Sequence, residues 1–224
     1  MVQDIAVQKH DCARCGECCL ISSPTLQAQD LFLIENNTIK KEYLYTIRKG
    51  ELVRDNINNT LEITPIELIK VKDRDNGKGG CFFYNDQEKA CEIYEQKPVQ
   101  CVALNCRDTG EFLKIYNDPK LERKDIIKNG TILRFIEEHE KRCNYFTLQN
   151  YVQQIEQEGE KAVERILDII KFDYRLRPFI ADKLDLNPRN IDFFFGRPLI
   201  LTITMFGFKV IRQNDGSFFL TMIE

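Results

Sequence analysis

Hydrophobic positions along the chain follow a clear helical period only in its second half. Ile132, Leu133, Phe135, Ile136 and, on the same spacing, His139 recur at steps of three and four residues. Ala162, Val163, Ile166, Leu167, Ile169 and Ile170 do so again. Such steps bring side chains to one face of an α-helix, so both stretches predict helices with one buried side. Asn187-Pro188 reads as a cap followed by a first-turn proline. Phe208 to Ile223 holds two apolar runs around Asn214-Asp215-Gly216, the signal of a C-terminal hairpin.

The first half is less regular. Ser23-Pro24 predicts the opening of a short helix through Leu26, Leu31, Phe32, Ile34 and Glu35. A second helix is predicted from about Ile39 to Lys49, stopping at Gly50. Asn56, Asn58 and Asn59 mark a loop, and Leu61 to Val71 suits extended structure broken at Pro65. Gly77-Lys78-Gly79-Gly80 is a flexible loop leading into a short strand, Cys81 to Tyr84. Asn85-Asp86 then turns the chain towards Cys91 to Tyr94, and Pro98 opens a short helix carrying Cys101. The expected fold class is α+β: mainly helical with short strands, a cysteine-rich, metal-stapled N-terminal half and a C-terminal hairpin. The cysteine-rich region is 1–110 and the mainly helical region 111–224, the two expected to pack as one domain.

With 43% hydrophobic and 30% charged residues in 224, the chain can bury a core and stay in solution. Leu199 to Phe208 is too short to span a bilayer, so no membrane partner is expected. Met1 to Asp11 carries Asp4, Lys9 and Asp11 and does not read as a secretion signal, which makes the cytoplasm the expected location. A net charge of −3 gives no field that attracts nucleic acid. The local basic group Lys40, Lys41, Arg48 and Lys49 reads as a solvated helix face.

Nine cysteines change the picture. Disulfides are rare in a reducing cytosol, where such cysteines more often serve metals or catalysis. Cys12, Cys15, Cys18 and Cys19 crowd the N-terminus, while Cys81, Cys91, Cys101 and Cys106 form a second group. Packing preference alone would scatter them. Two thiolates separated by two residues can grip one ion across a turn, as zinc knuckles do. A third cysteine at the same interval opens many iron–sulfur runs, so the spacing admits both metals. The second group has spacings of nine, nine and four residues, which are not knuckle spacings. Eight thiols suffice for two four-ligand sites or for one site with spares.

Cys-Ala-Arg-Cys-Gly-Glu-Cys-Cys, then Cys81-Phe-Phe-Tyr and Cys91-Glu-Ile-Tyr-Glu-Gln-Lys-Pro-Val-Gln-Cys101, resembles the YkgJ-like cysteine-cluster family, described as zinc- or iron-chelating. The resemblance covers roughly the first half and implies Cys12, Cys15, Cys18, Cys19, Cys81, Cys91 and Cys101 as ligands. Cys106 is similar to a variant shared by part of the family. Many members carry Arg-Pro and Cys-Arg where this chain has Lys97-Pro98 and Cys101-Val102. The cysteine region is also distantly similar to flagellin lysine methylase, which implies iron–sulfur chemistry and protein modification as options. Gly77 to Gly80 lacks the flanks of a nucleotide loop.

His139 and Cys143, four apart, can face one ion, but the preferred reading is a core cysteine flanked by a histidine. His10, Asp11 and Glu17 read as surface groups, and Glu92 and Glu95 find no identifiable acid–base partner. Tyr84 and Tyr94, each three residues past a cysteine, can donate to sulfur or pack against the hydrophobic layer. The expected function is a metal-binding protein holding an iron–sulfur cluster or iron through its clustered cysteines, in electron transfer or modification of a protein partner. The alternatives are a zinc-stapled, non-catalytic interaction module and a metal carrier.

Overall fold

The structure is a computed structural model that describes residues 12, 14–55, 57–74, 79–105 and 108–223. It is α+β and 50% helical, with short antiparallel strand pairs and with the cysteines clustered in the N-terminal half, as the sequence predicts. The chain divides into two compact units, each assembled from two separate stretches. Among the described residues, no helix is long and apolar enough to cross a membrane.

The first unit comprises Met1–Thr38 and Val71–Leu121. Its elements are brief: helices Glu17–Ile21, Leu31–Glu35, Val99–Ala103 and Gly110–Tyr116, and a hairpin of Tyr84–Asn85 with Ala90–Cys91. Leu26, Leu33, Phe83, Tyr84 and Leu121 are buried. Backbone hydrogen bonds tie its two stretches together: Leu121 N donates to Leu26 O, Ala28 N to Pro119 O and Val71 N to Pro24 O, at 3.2, 2.9 and 3.1 Å.

The second unit comprises Ile39–Lys70 and Glu122–Glu224. Three long helices dominate it: Gly130–Arg142, Tyr145–Glu158 and Glu160–Lys183. The side chain of Asn129 accepts from Thr131 N and Ile132 N, and that of Asn144 from Phe146 N and Thr147 N. These caps satisfy amides that have no partner inside a helix. The apolar stripes meet in a core of Tyr145, Leu148, Ile166, Ile170, Leu199, Ile203 and Phe218. Asn187 caps the turn Pro188–Asn190 as expected, and the predicted C-terminal hairpin pairs Phe208–Arg212 with Phe218–Met222. Thr60–Ile63 and Leu68–Val71 are extended on either side of Pro65, also as expected.

Three expectations change. The stretch from Ile39 to Lys49 is not a helix: a turn Lys41–Tyr43 leads into a strand, Leu44–Ile47. Leu44, Thr46 and Ile47 are buried there, and Thr46 and Ile47 are β-branched residues that suit a pleated surface. Arg48 therefore lies on no solvated helix face; it is fully buried. Ser23-Pro24 does not cap a helix. Gln27 and Asp30 form the capping box instead, and the buried Ser23 donates its hydroxyl to Asp73 Oδ1 at 3.0 Å. Cys81 makes a single bridge to Asp73 before a turn, so the strand begins only at Tyr84.

Candidate metal centre

The thiols reach the first unit on four pieces of chain. Cys18 and Cys19 sit on helix Glu17–Ile21, entered through Gly16 at φ +79°. The Tyr84 ring packs directly over that turn: a Cβ on Gly16 would lie 2.6 Å from Tyr84 Cε2. Only glycine fits both the left-handed backbone and the ring. Cys81 N donates to Cys19 O at 2.6 Å, joining the second piece to the first. Cys91 pairs opposite Tyr84 in the hairpin, and Cys101 lies in helix Val99–Ala103, which Pro98 opens as expected. Arg14 N donates to Cys12 Sγ at 3.4 Å.

These pieces bring sulfurs together. Cys18 and Cys19 Sγ are 3.9 Å apart. The Cys19 thiol also lies within electrostatic reach of Cys81 and Cys101, Cys101 within reach of Cys18, Cys81 and Cys91, and Cys91 within reach of Cys12. Cys12, Cys18, Cys19, Cys81, Cys91 and Cys101 thus share one neighbourhood. Cys15 is exposed, and Cys106, His10 and Asp11 lie outside the described residues.

The neighbourhood favours protonated sulfur. The hydrogen bond to Cys18, and then burial, push the Cys19 thiol far up. Burial pushes Cys81 up to about 11 and raises Cys101 well above the usual range, with neighbouring cysteines adding to both. Burial also raises Cys91, against the pull of the Ile93 amide and of Lys97. Thiolates crowded in this way repel one another unless a cation lies among them. A cation would reverse every one of these shifts, and soft sulfur selects zinc, copper(I) or iron–sulfur clusters. The donor set fits a thiolate-bound metal.

Of the tyrosines, Tyr84 takes the packing role. Tyr94 faces cations, with Arg14 Cζ 3.9 Å and Lys97 Nζ 4.1 Å from its ring centroid. Glu95 is exposed and meets Arg14 at 3.7 Å.

A different trio lies in the second unit. His139, Cys143 and Asp173 are buried, with ligand atoms all within 4.8 Å of one another, the one such group among the described residues. The lone pairs of His139 and Asp173 are already committed. Asp173 Oδ1 lies 2.7 Å from His139 Nε2 and accepts from Arg177 Nε at 2.9 Å; Oδ2 accepts from Leu199 N at 2.9 Å. Burial alone would raise the Asp173 pKa, but hydrogen bonds from His139 and Arg177 carry it well below the usual carboxylate range. An ionised carboxylate only accepts, so Nε2 carries the proton and Nδ1 faces Arg48 Nη1 at 3.5 Å. Burial lowers the pKa of His139 and pushes Cys143 up to about 12. Two guanidiniums and no free imidazole nitrogen make this a structural hydrogen-bond network. Cys143 belongs to the core, as expected. The sequence reading missed Asp173, although Ile166, Ile169, Ile170, Asp173 and Arg177 continue one buried helical stripe that singles it out.

Residues 11–115 match a family model, CxxCxxCC, described as a "putative zinc- or iron-chelating domain". This agrees with the resemblance read from the cysteine spacing. No curated protein matches the chain, and no solved structure does. The matched stretch includes all eight clustered cysteines and excludes Cys143.

Proposed function

We propose, from the premise that residues 11–115 are a metal-chelating domain of the cysteine-cluster type, that the chain holds iron, as a cluster or as iron, through Cys12, Cys15, Cys18, Cys19, Cys81, Cys91, Cys101 and Cys106. The supporting observation is that six cysteines on four pieces of chain lie within electrostatic reach of one another in a linked set, more donors than one tetrahedral ion uses. When bound, an iron–sulfur cluster supplies electron exchange at a potential set by burial and by hydrogen bonds to sulfur. The chain's own part is to hold the sulfurs. Tyr84 fixes the turn before Cys18, the Cys19–Cys81 backbone bond aligns two pieces, and the amide of Arg14 donates to Cys12. Cys15 stands at the surface, so a protein partner can approach. Electron transfer to that partner, or its modification, is the activity we assign.

A second reading, a zinc-stapled module without catalysis, is favoured by the brevity of the elements. Helices of five residues and strands of two bury little, and metal binding would add directly to folding free energy. Anaerobic purification without chelators, followed by iron, zinc and sulfide analysis beside the visible spectrum, separates the two. Brown protein with comparable iron and labile sulfide is expected. Colourless protein with stoichiometric zinc would overturn the iron assignment and establish the second reading.

A further inference from the structure

Asp30 lies outside the cysteine motifs, and it is fully buried in the first unit. A buried carboxylate requires hydrogen bonds, and Asp30 has two. Oδ2 accepts from Gln27 N at 2.8 Å, closing the local capping box. Oδ1 reaches across 69 residues to accept from Val99 N at 2.8 Å. Val99 is the first residue of the helix that carries Cys101, and its N-cap, Pro98, has no side chain able to accept. Asp30 supplies the missing cap from elsewhere in the chain.

A second clamp stands beside the first. Thr25 N donates to Gln100 Oε1 at 2.6 Å. Both residues that precede Cys101 are therefore fastened to the stretch Thr25–Asp30, which follows closely on Cys18 and Cys19. The clamps set the separation of Cys101 from the vicinal pair.

We infer that Asp30 is a positioning residue of the metal centre: its carboxylate, with Gln100, holds Cys101 in place to share an ion with Cys18 and Cys19. This rests on the ligand reading above. It goes further by naming a group outside the cysteine set, one that touches no metal and controls the presentation of a single thiolate. Hydrogen-bonding groups behind metal ligands typically change affinity by about 10–100-fold when removed.

The test uses the full chain, cobalt(II) as probe, competition for affinity, and thiolate-to-cobalt absorption as a count of sulfurs. Asp30→Asn preserves size but turns one of the two acceptors into a donor, so Gln27 N and Val99 N can no longer both donate to this side chain. It is expected to weaken cobalt binding about tenfold and to lower the thiolate absorption per ion. In a Cys101→Ser background the same change should alter affinity by less than about twofold, because its route to the metal is gone. An equal loss in both backgrounds would reduce Asp30 to a general stabiliser and overturn the inference. Parent-like binding in Asp30→Asn, with loss in Cys101→Ser, would also overturn it and leave the ligand reading standing. Parent-like binding in Cys101→Ser would strike the ligand reading itself. Should Asp30→Asn fail to fold, Gln100→Ala in the same two backgrounds reads the other clamp by the same criteria.

Discussion

In the unit built from Ile39–Lys70 and Glu122–Glu224, most buried charge is hydrogen-bonded within the chain, Nε and Nη2 of Arg48 excepted. Arg123 meets Glu67 and Glu140 at 2.6 and 2.7 Å and donates to Phe194 O. Arg177 meets Asp173, and Asp173 meets His139. In the unit built from Met1–Thr38 and Val71–Leu121, the sulfurs meet other sulfurs, and each makes its neighbours harder to ionise. Lys97 beside Cys91 opposes this only at the margin. Both units concentrate polar atoms. One pairs opposite charges, while the other gathers like donors, and like donors call for a cation from outside. The buried trio His139, Cys143 and Asp173 lies close enough to share an ion, but its histidine and carboxylate are already hydrogen-bonded to the chain.

The sharpest way to break this contrast is to remove one sulfur from each unit. Cys81→Ser, and with it Cys15→Ser, should strip most bound metal as read by elemental analysis. Cys143→Ser should leave metal content nearly unchanged. Metal loss in Cys143→Ser would mean that the buried trio is a second site after all.

Next in size is Asp173→Ala, which removes the buried acceptor shared by His139, Arg177 and Leu199 N and leaves Arg177 only Asp192 at 3.2 Å as a carboxylate partner. A loss of about 3–5 kcal/mol is expected in urea unfolding followed by helical circular dichroism, with metal content unaffected. The pH response has the same origin. Asp173 and Glu140 both have depressed folded pKa values; burial opposes the shift, but His139 and Arg177 override it at Asp173, and Arg48 and Arg123 at Glu140. Their contribution is complete above the unfolded value of about 4 and is lost as pH falls towards the folded values. His139, also depressed, acts in the same direction from about pH 6.5 downwards. Acid should therefore destabilise this unit progressively, and Asp173→Ala should flatten the steepest part of the titration.

A smaller effect is expected at the two glycines. Gly16→Ala forces a side chain into a left-handed turn and against Tyr84, so metal affinity should fall while the long helices keep their stability. Gly196→Ala, at φ +71° and 2.7 Å from Arg48 Cγ, should do the converse. Each backbone strain is of order 1–3 kcal/mol. The smallest effect is Asn144→Ala, about 1 kcal/mol of stability from a lost helix cap and none in metal content.

The sequence made some of this legible for physical reasons. Helical stripes such as Ile166–Ile170 declare themselves because local spacing fixes which side faces the core, and the Asn214-Asp215-Gly216 turn announces its hairpin likewise. The cysteine groups stood out because packing does not produce such crowding. The strand Leu44–Ile47 did not, because four residues are too few to carry a period. Arg48 read as a surface charge because its partners, His139, Glu140 and the Cys143 carbonyl, lie more than ninety residues away. Asp30 was invisible as a cap for the same reason: its acceptor role is set by the fold and by no neighbour in sequence.

The interleaving of the two units also sets an order of events during synthesis. Cys12, Cys18 and Cys19 emerge from the ribosome first, but Cys81, Cys91 and Cys101 follow only after the chain has made Ile39–Lys70, which belongs to the other unit. At roughly 5–20 residues per second, the early thiols wait for several seconds without their neighbours. Throughout that interval they are exposed to oxidants and to any passing ion. Loading of the complete centre is thus a late event in the life of the nascent chain, and a cell short of reductant would be expected to damage the newly made protein before the finished one.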